Sequence, residues 1–209
     1  MATRMIRDDV DKFLEYDVHL PTKTFYMGSC CDTWGEGESG TDFQMAERSI
    51  KVLHLLDNLP ANGSGITIIM NNLGGDFYHG MAIYDAIQNC SAHVTVIATG
   101  YAMSMGSIIL QAADTRLMMP SARMMIHYGW DSMGAAHHKD FMSYAEESKK
   151  LRDWMETLYV TKIQEQHADF NKVMLADFMN FDRYLSAQEA VDLGLADGIK
   201  YPPHHTSEG

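Results

Sequence analysis

The chain has 209 residues, 46% of them apolar, and only 5 prolines, which suits one domain with a sizeable core and excludes a chain disordered as a whole. A formal net charge of −12 argues against a nucleic-acid partner, which attracts basic surfaces. No apolar run approaches the roughly 18 to 20 residues that span a bilayer, and the stretch Met1-Ala2-Thr3-Arg4-Met5-Ile6-Arg7 lacks a secretory h-region. Cys30, Cys31 and Cys90 form neither a disulfide framework nor a CxxC metal pair, so a cytoplasmic protein with no membrane or metal partner is expected.

Residues 1–23 mix charge with Val10, Phe13, Leu14 and Val18 and read as a short helix or arm. A strand over 24–27 ends at Gly28, and 29–40, with Gly35, Gly37 and Gly40 among Glu36 and Glu38, is an exposed loop. Thr41-Asp42-Phe43-Gln44 has the capping-box pattern, and Phe43, Ala46, Ile50 and Leu53 follow at helical spacing, predicting a helix from Thr41 to about Asn58. After a turn over 58–65, the unbroken run Ile66-Thr67-Ile68-Ile69-Met70-Asn71 reads as a parallel strand buried on both faces. Gly74-Gly75 turns the chain towards a helix over 80–87.

The same order then repeats, with a strand over 93–99, a turn over 100–103 and a helix over 104–113. Successive βα units imply a parallel α/β core. Strands over 116–119 and 123–127 follow, divided by Pro120-Ser121-Ala122, then a loop over 128–134. The run from His138 to His167 lacks proline and glycine and reads as one long helix, apolar on more than one side and suited to packing against another subunit. A shorter helix over 171–179, a second capping box at Ser186-Ala187-Gln188-Glu189 and a disordered tail over 201–209 complete the chain. The many methionines, such as Met118, Met119, Met124 and Met125, lie in apolar runs and read as core.

Gly100-Tyr101-Ala102-Met103-Ser104-Met105-Gly106 places Ser104 between a strand and a helix start, where free N–H groups favour a developing oxyanion. A plain N-cap is the competing reading of that serine. A nucleophile needs a base, and of ten histidines His127 alone ends an apolar strand, Arg123-Met124-Met125-Ile126. Catalytic groups of parallel sheets gather beyond the strands' carboxyl ends, which favours it. For the orienting carboxylate, Asp114, Asp131, Asp182 and Asp197 all lie near element ends, and spacing does not choose among them. No HExxH, DxDxDG or GxxxxGKS pattern occurs.

With these residues assembled, the chain resembles the ClpP family, the proteolytic subunit of the Clp protease, from about Thr24 to Ile199. The resemblance rests on Met70-Asn71-Asn72-Leu73-Gly74-Gly75 against the family's Ile-Asn-Ser-Pro-Gly-Gly, on Gly80-Met81-Ala82-Ile83-Tyr84-Asp85 and on Ala102-Met103-Ser104-Met105-Gly106. It rests also on Pro120-Ser121-Ala122-Arg123-Met124-Met125-Ile126-His127 and Asp182-Arg183-Tyr184-Leu185-Ser186-Ala187-Gln188-Glu189-Ala190. It implies an α/β fold of the ClpP/crotonase type, a spiral of repeated ββα units with a protruding handle helix at about 128–167. Residues 1–23 would be an N-terminal arm or axial loop and 24–200 the peptidase domain.

The resemblance implies catalytic Ser104, His127 and Asp182, with the N–H groups of Gly75 and Met105 as oxyanion hole. Asp76, Phe77, Tyr78, Tyr128, Gly129 and Trp130 would flank an extended substrate. The implied function is that of a serine endopeptidase subunit, self-assembled into a heptameric ring stacked as a tetradecamer. It would cleave small peptides alone and unfolded polypeptides delivered by an AAA+ unfoldase, which alone would use ATP; no cofactor is implied. The alternatives are a non-catalytic ring subunit and a crotonase-type acyl-CoA enzyme. The chain departs from the family pattern at Asn72-Leu73, which replaces Ser-Pro and removes a rigid proline from the turn. It departs again at Asn180 and Phe181, where many members carry an Asp-Arg pair that bridges the rings.

Overall fold

The computed structural model describes Val10 and residues 13–28, 40–60, 65–129, 133–135 and 137–201. Most of the loop predicted over 29–40, the beginning of the arm, Trp130, Asp131 and nearly all of the predicted tail lie outside these residues. Strands β1 (Val18–His19), β2 (Thr24–Gly28), β3 (Ile66–Asn72), β4 (Val94–Met103) and β5 (Thr115–Met118) are followed by β6 (Arg123–Ile126), β7 (Arg183–Ser186) and β8 (Gly198–Ile199). They form one 8-stranded sheet in the order β1-β2-β3-β4-β5-β8, with β6 also paired to β4 and β7 to β6. The central strands β2 to β5 run parallel, and β6–β7 is antiparallel.

The helices are α1 (Phe43–Asp57), α2 (Phe77–Gln88), α3 (Met105–Leu110), α4 (His138–Gln164), α5 (Lys172–Phe178) and α6 (Ala187–Asp192). Among the described residues no helix is long and apolar enough to cross a membrane. The core joins alternate strand residues, Phe25, Met27, Ile68, Met70, Val96 and Ala98, to Leu53, Leu56 and Ile83 of the helices. This period-two alternation corrects the expectation for β3: Ile66, Ile68 and Met70 are buried, whereas Thr67 and Ile69 on the other face are only half-buried. Buried methionines from β2, β3, β5, β6, α1, α3 and α4 fill the core as the sequence suggests.

Two local readings are corrected. The helix cap at α1 is Asp42, whose carboxylate accepts from Met45 N, and not Thr41. Thr41 is instead drawn into a parallel bridge with Gly75, a tertiary contact that competes with helix capping. The predicted turn over 100–103 is the second half of β4, which runs unbroken to Met103. Gly100 relieves a bulge there: Met70 faces Ala98 but Asn72 faces Ala102. The Asn71 carboxamide fills the bulge, accepting from Tyr101 N at 2.9 Å, and a Cβ on Gly100 would lie 2.6 Å from its Oδ1.

That bulge forks the sheet. Thr95–Ala98 of β4 pair with β5, while Tyr101–Met103 pair with β6. The lower branch is tied to the end of the chain by Arg116, a buried residue whose guanidinium pairs with Asp197 and donates to Gln111 Oε1 (2.8 Å) and to the Gly194 carbonyl (3.0 Å). The upper branch carries the residues of interest.

Candidate active site

Three chain segments meet at the end of the upper branch, and strand register explains why. Met103 faces Met125 across β4–β6, and Ile126 faces Arg183 across β6–β7. One step further along each ladder come Ser104, His127 and Asp182. The Ser104 Oγ lies 2.8 Å from His127 Nε2, and His127 Nδ1 lies 3.2 Å from Asp182 Oδ1. The imidazole is largely buried and the Asp182 carboxylate half-exposed.

Ser104 caps α3 by position, yet its hydroxyl makes no cap hydrogen bond and is directed to His127 instead. Its backbone has φ 50° and ψ −122°, a region that costs a non-glycine residue about 1–3 kcal/mol. Both of its peptide groups are anchored: the N–H donates to the Met125 carbonyl (2.8 Å), and its carbonyl accepts from Ser107 N (3.0 Å) and Ser107 Oγ (2.6 Å). Such strain persists only where the surroundings over-determine it, and here it projects the hydroxyl out of the strand line.

The glycine turn faces this serine. Gly74 and Gly75 have φ of 105° and 143°, and a Cβ on Gly74 would stand 2.5 Å from the Ser104 Cβ. Gly75 is exposed towards the cleft, and Met105, the first residue of α3, has an N–H with no partner inside its own helix. The turn that lacks the family's proline is held by the buried Asn72 carboxamide, which accepts from Gly74 N at 2.7 Å and meets the Thr41 hydroxyl.

A cleft of about 450 Å³ opens beside these groups, lined by Gly75, Ser104, Met105 and His127. Asp76, Phe77, Tyr78, Tyr128 and Gly129 also line it. They are not one continuous extended edge, however. Asp76 is the N-cap of α2, accepting from His79 N, and Phe77 and Tyr78 form its first turn, because α2 begins earlier than Gly80. The far wall is α4, through Tyr144, Ser148, Leu151, Arg152 and Met155, a contribution that sequence reading does not single out. The signal available was the helical spacing of Leu151 and Met155. Trp154 docks α4, meeting the rings of Phe77 and Tyr84 edge-on at 6.1 and 5.4 Å. Arg152 lies over the Tyr128 ring at 5.2 Å, and burial together with a hydrogen bond to Glu156 pushes the Tyr128 phenol above its ordinary value.

The other candidate aspartates among the described residues are engaged elsewhere. Asp114 accepts from Val94 N, Asp197 binds Arg116, and His93 meets the Thr115 hydroxyl. His79 lies on α2 and its ring packs edge-on against Phe43. Cys90 is no rival nucleophile, since burial and the nearby Asp57 and Asp114 push its thiol up to about 11.

The sequence profile of the Clp protease family matches residues 38–202. A curated relative from Deinococcus radiodurans, named ATP-dependent Clp protease proteolytic subunit, is 36% identical over 159 residues, 75% of this chain and 74% of its own. A relative of the same name from Bacteroides thetaiotaomicron is 37% identical over 141 residues, 66% of this chain and 60% of its own. The solved structure of a ClpP1 mutant from Listeria monocytogenes superposes with a TM-score of 0.71 at 25% identity, covering 92% of this chain and 97% of that one.

Proposed function

The chain belongs to the Clp protease family, and on that premise we propose that Ser104, His127 and Asp182 are the nucleophile, general base and orienting carboxylate with which it cleaves peptide bonds. It is a proteolytic subunit of the serine-peptidase class with the ClpP fold. The observation that carries the residue assignment is the 2.8 Å contact between the Ser104 hydroxyl and His127 Nε2 at the mouth of the cleft.

In the proposed reaction Asp182 accepts the Nδ1 proton of His127, which leaves Nε2 free to accept from Ser104. As Ser104 Oγ bonds to the substrate carbonyl carbon, its proton passes to Nε2 and the carbonyl oxygen gains the charge. The N–H groups of Gly75 and Met105 receive that oxyanion. Collapse breaks the C–N bond, His127 returns the proton to the leaving amine, and water releases the acyl group by the same route. Asp76, Phe77, Tyr78, Tyr128, Gly129 and Trp130 hold the peptide, and the reaction needs no cofactor.

The subunit works in the cytoplasm as a homo-oligomer, a seven-membered ring stacked on a second, fed with unfolded polypeptide by an AAA+ unfoldase. Support comes from α4, whose residues 138–146 are all exposed, Phe141 and Met142 among them, and from the exposed Val173 and Phe181. Sedimentation of the purified chain tests the assembly; a stable 23.5 kDa monomer overturns it.

The direct test of the catalytic assignment is fluorophosphonate labelling of the native protein, with the modified peptide located by mass. Label on Ser104, absent in Ser104→Ala, is the expected result. A folded protein that takes no label would be a non-catalytic ring subunit instead.

A further inference from the structure

Gly75 can direct its N–H at an oxyanion only if the Gly74–Gly75 peptide plane is held, and nothing in the two glycines holds it, since both occupy conformations open mainly to glycine. The restraint comes from residue 41. Thr41 N donates to the Gly74 carbonyl, which is part of this peptide unit, and Asp76 N of the next peptide donates to the Thr41 carbonyl at 2.8 Å, so the Thr41 backbone holds Gly75 through the peptides on either side of it. The peptide is trans, so a carbonyl tied towards Thr41 turns the Gly75 N–H the opposite way. A Cβ on Gly75 would lie 2.5 Å from Thr41 N and O, and one on Gly40 would lie 1.7 Å from the Gly74 oxygen. The two segments therefore fit only as glycine backbone against backbone.

What fixes Thr41 in turn is a single buried side chain. The Asn72 carboxamide, with no exposed surface, places Oδ1 3.2 Å and Nδ2 3.1 Å from the Thr41 hydroxyl, itself nearly fully buried. The same Oδ1 accepts from Gly74 N at 2.7 Å. One amide group thus grips both segments that flank the peptide plane, in a site where water does not compete for its hydrogen bonds.

We propose that Asn72 and Thr41 form a positioning pair that sets the direction of the Gly75 N–H and thereby the rate of the acylation step. Neither touches the substrate. The inference rests on the reading of Gly75 as an oxyanion donor, given above, and it makes a claim that reading does not: the aim of the donor depends on a hydroxyl at position 41.

Thr41→Val tests it, since valine keeps the shape and the backbone bridge and removes only the hydroxyl. The measurements are kcat and KM for a fluorogenic peptide and the inhibition constant of a peptide boronate, whose tetrahedral adduct places an oxygen where the oxyanion forms. The expected result is kcat lowered about tenfold with KM within about twofold, since full loss of one such donor costs about 10²–10³-fold. Boronate inhibition should weaken by the same factor, and Thr41→Ser should restore both. A Thr41→Val protein with unchanged kcat, or with KM alone raised, overturns the positioning role while leaving Ser104 labelling, and the functional reading, intact. A wild-type protein that neither labels at Ser104 nor binds the boronate overturns both.

Discussion

The phenol of Tyr159, fully buried on α4, stands 2.6 Å from the hydroxyl of Ser107, which stands 2.6 Å from the carbonyl of Ser104. A serine hydroxyl has one proton. With that proton given to the Ser104 carbonyl, Tyr159 is the donor in its own pair, and burial pushes the phenol well above its ordinary value so that it keeps that proton. The long helix is thereby connected through two hydroxyls to the strained residue at the site.

The direction of these bonds predicts unequal costs. Tyr159→Phe removes a donor and leaves no orphan, and should cost about 0.5–1.5 kcal/mol. Ser107→Ala leaves the Tyr159 hydroxyl buried without an acceptor and should cost more, about 1–3 kcal/mol. Adding Tyr159→Phe to Ser107→Ala should then recover part of the loss. Urea unfolding of the four proteins measures the cycle; equal single costs with simple additivity would show that the pair carries no energy.

Asp182→Asn should lower kcat about 10³- to 10⁴-fold with KM nearly unchanged, because the amide can donate to Nδ1 and reverse the tautomer of His127. Steady-state peptide hydrolysis is the measurement. A loss below tenfold would mean that the half-exposed carboxylate does not orient the imidazole.

Gly74→Ala should abolish fluorophosphonate labelling of Ser104. The added methyl would start 2.5 Å from the Ser104 Cβ, at a φ of 105° that alanine disfavours, so turn and serine must separate. Labelling at the wild-type rate would show that the turn yields without disturbing Ser104.

The Arg116–Asp197 pair predicts an acid limb. Burial alone would raise the Asp197 carboxyl, but the hydrogen bonds from the Arg116 side chain and backbone, and its charge, hold it below its ordinary 3.8. A depressed carboxyl stabilises the fold above its unfolded value, and that contribution disappears as pH falls through the folded one. Asp197→Asn should therefore be less stable than wild type at neutral pH, and the gap should narrow below about pH 4. Thermal midpoints across pH 2–7 measure it; a constant gap would assign the pair's effect to packing.

Ser104 was legible at a helix start following an apolar strand and His127 at the end of another, and a parallel sheet collects such positions on one side. Asp182 was not, since it precedes a strand whose partner is 57 or more positions earlier in the chain; only the family resemblance chose it from four aspartates. Thr41 and Asp42 are both good helix caps, and the contact that removes Thr41 from that role comes from Gly75, which no local window contains. Gly100 reads equally well as a turn or as a bulge, and the Asn71 side chain that decides between them lies on a neighbouring strand. The wall supplied by α4 depends on where a 27-residue helix docks, which the edge-on packing of Trp154 settles and helical periodicity does not.

The pairing of β6 with β7 also has a bearing on the order in which a ribosome makes this protein. Ser104 and His127 emerge first, and Asp182 follows with the strand that carries its neighbour Arg183 into register with Ile126. At roughly 5–20 residues per second, a growing chain holds the serine and histidine for seconds before the carboxylate can join them. During that interval the unfinished polypeptide, an open target for any peptidase, carries the proposed nucleophile and base without the carboxylate that would orient them. On the proposed assignment, the linear order of the residues leaves the catalytic set incomplete until β7 has been made.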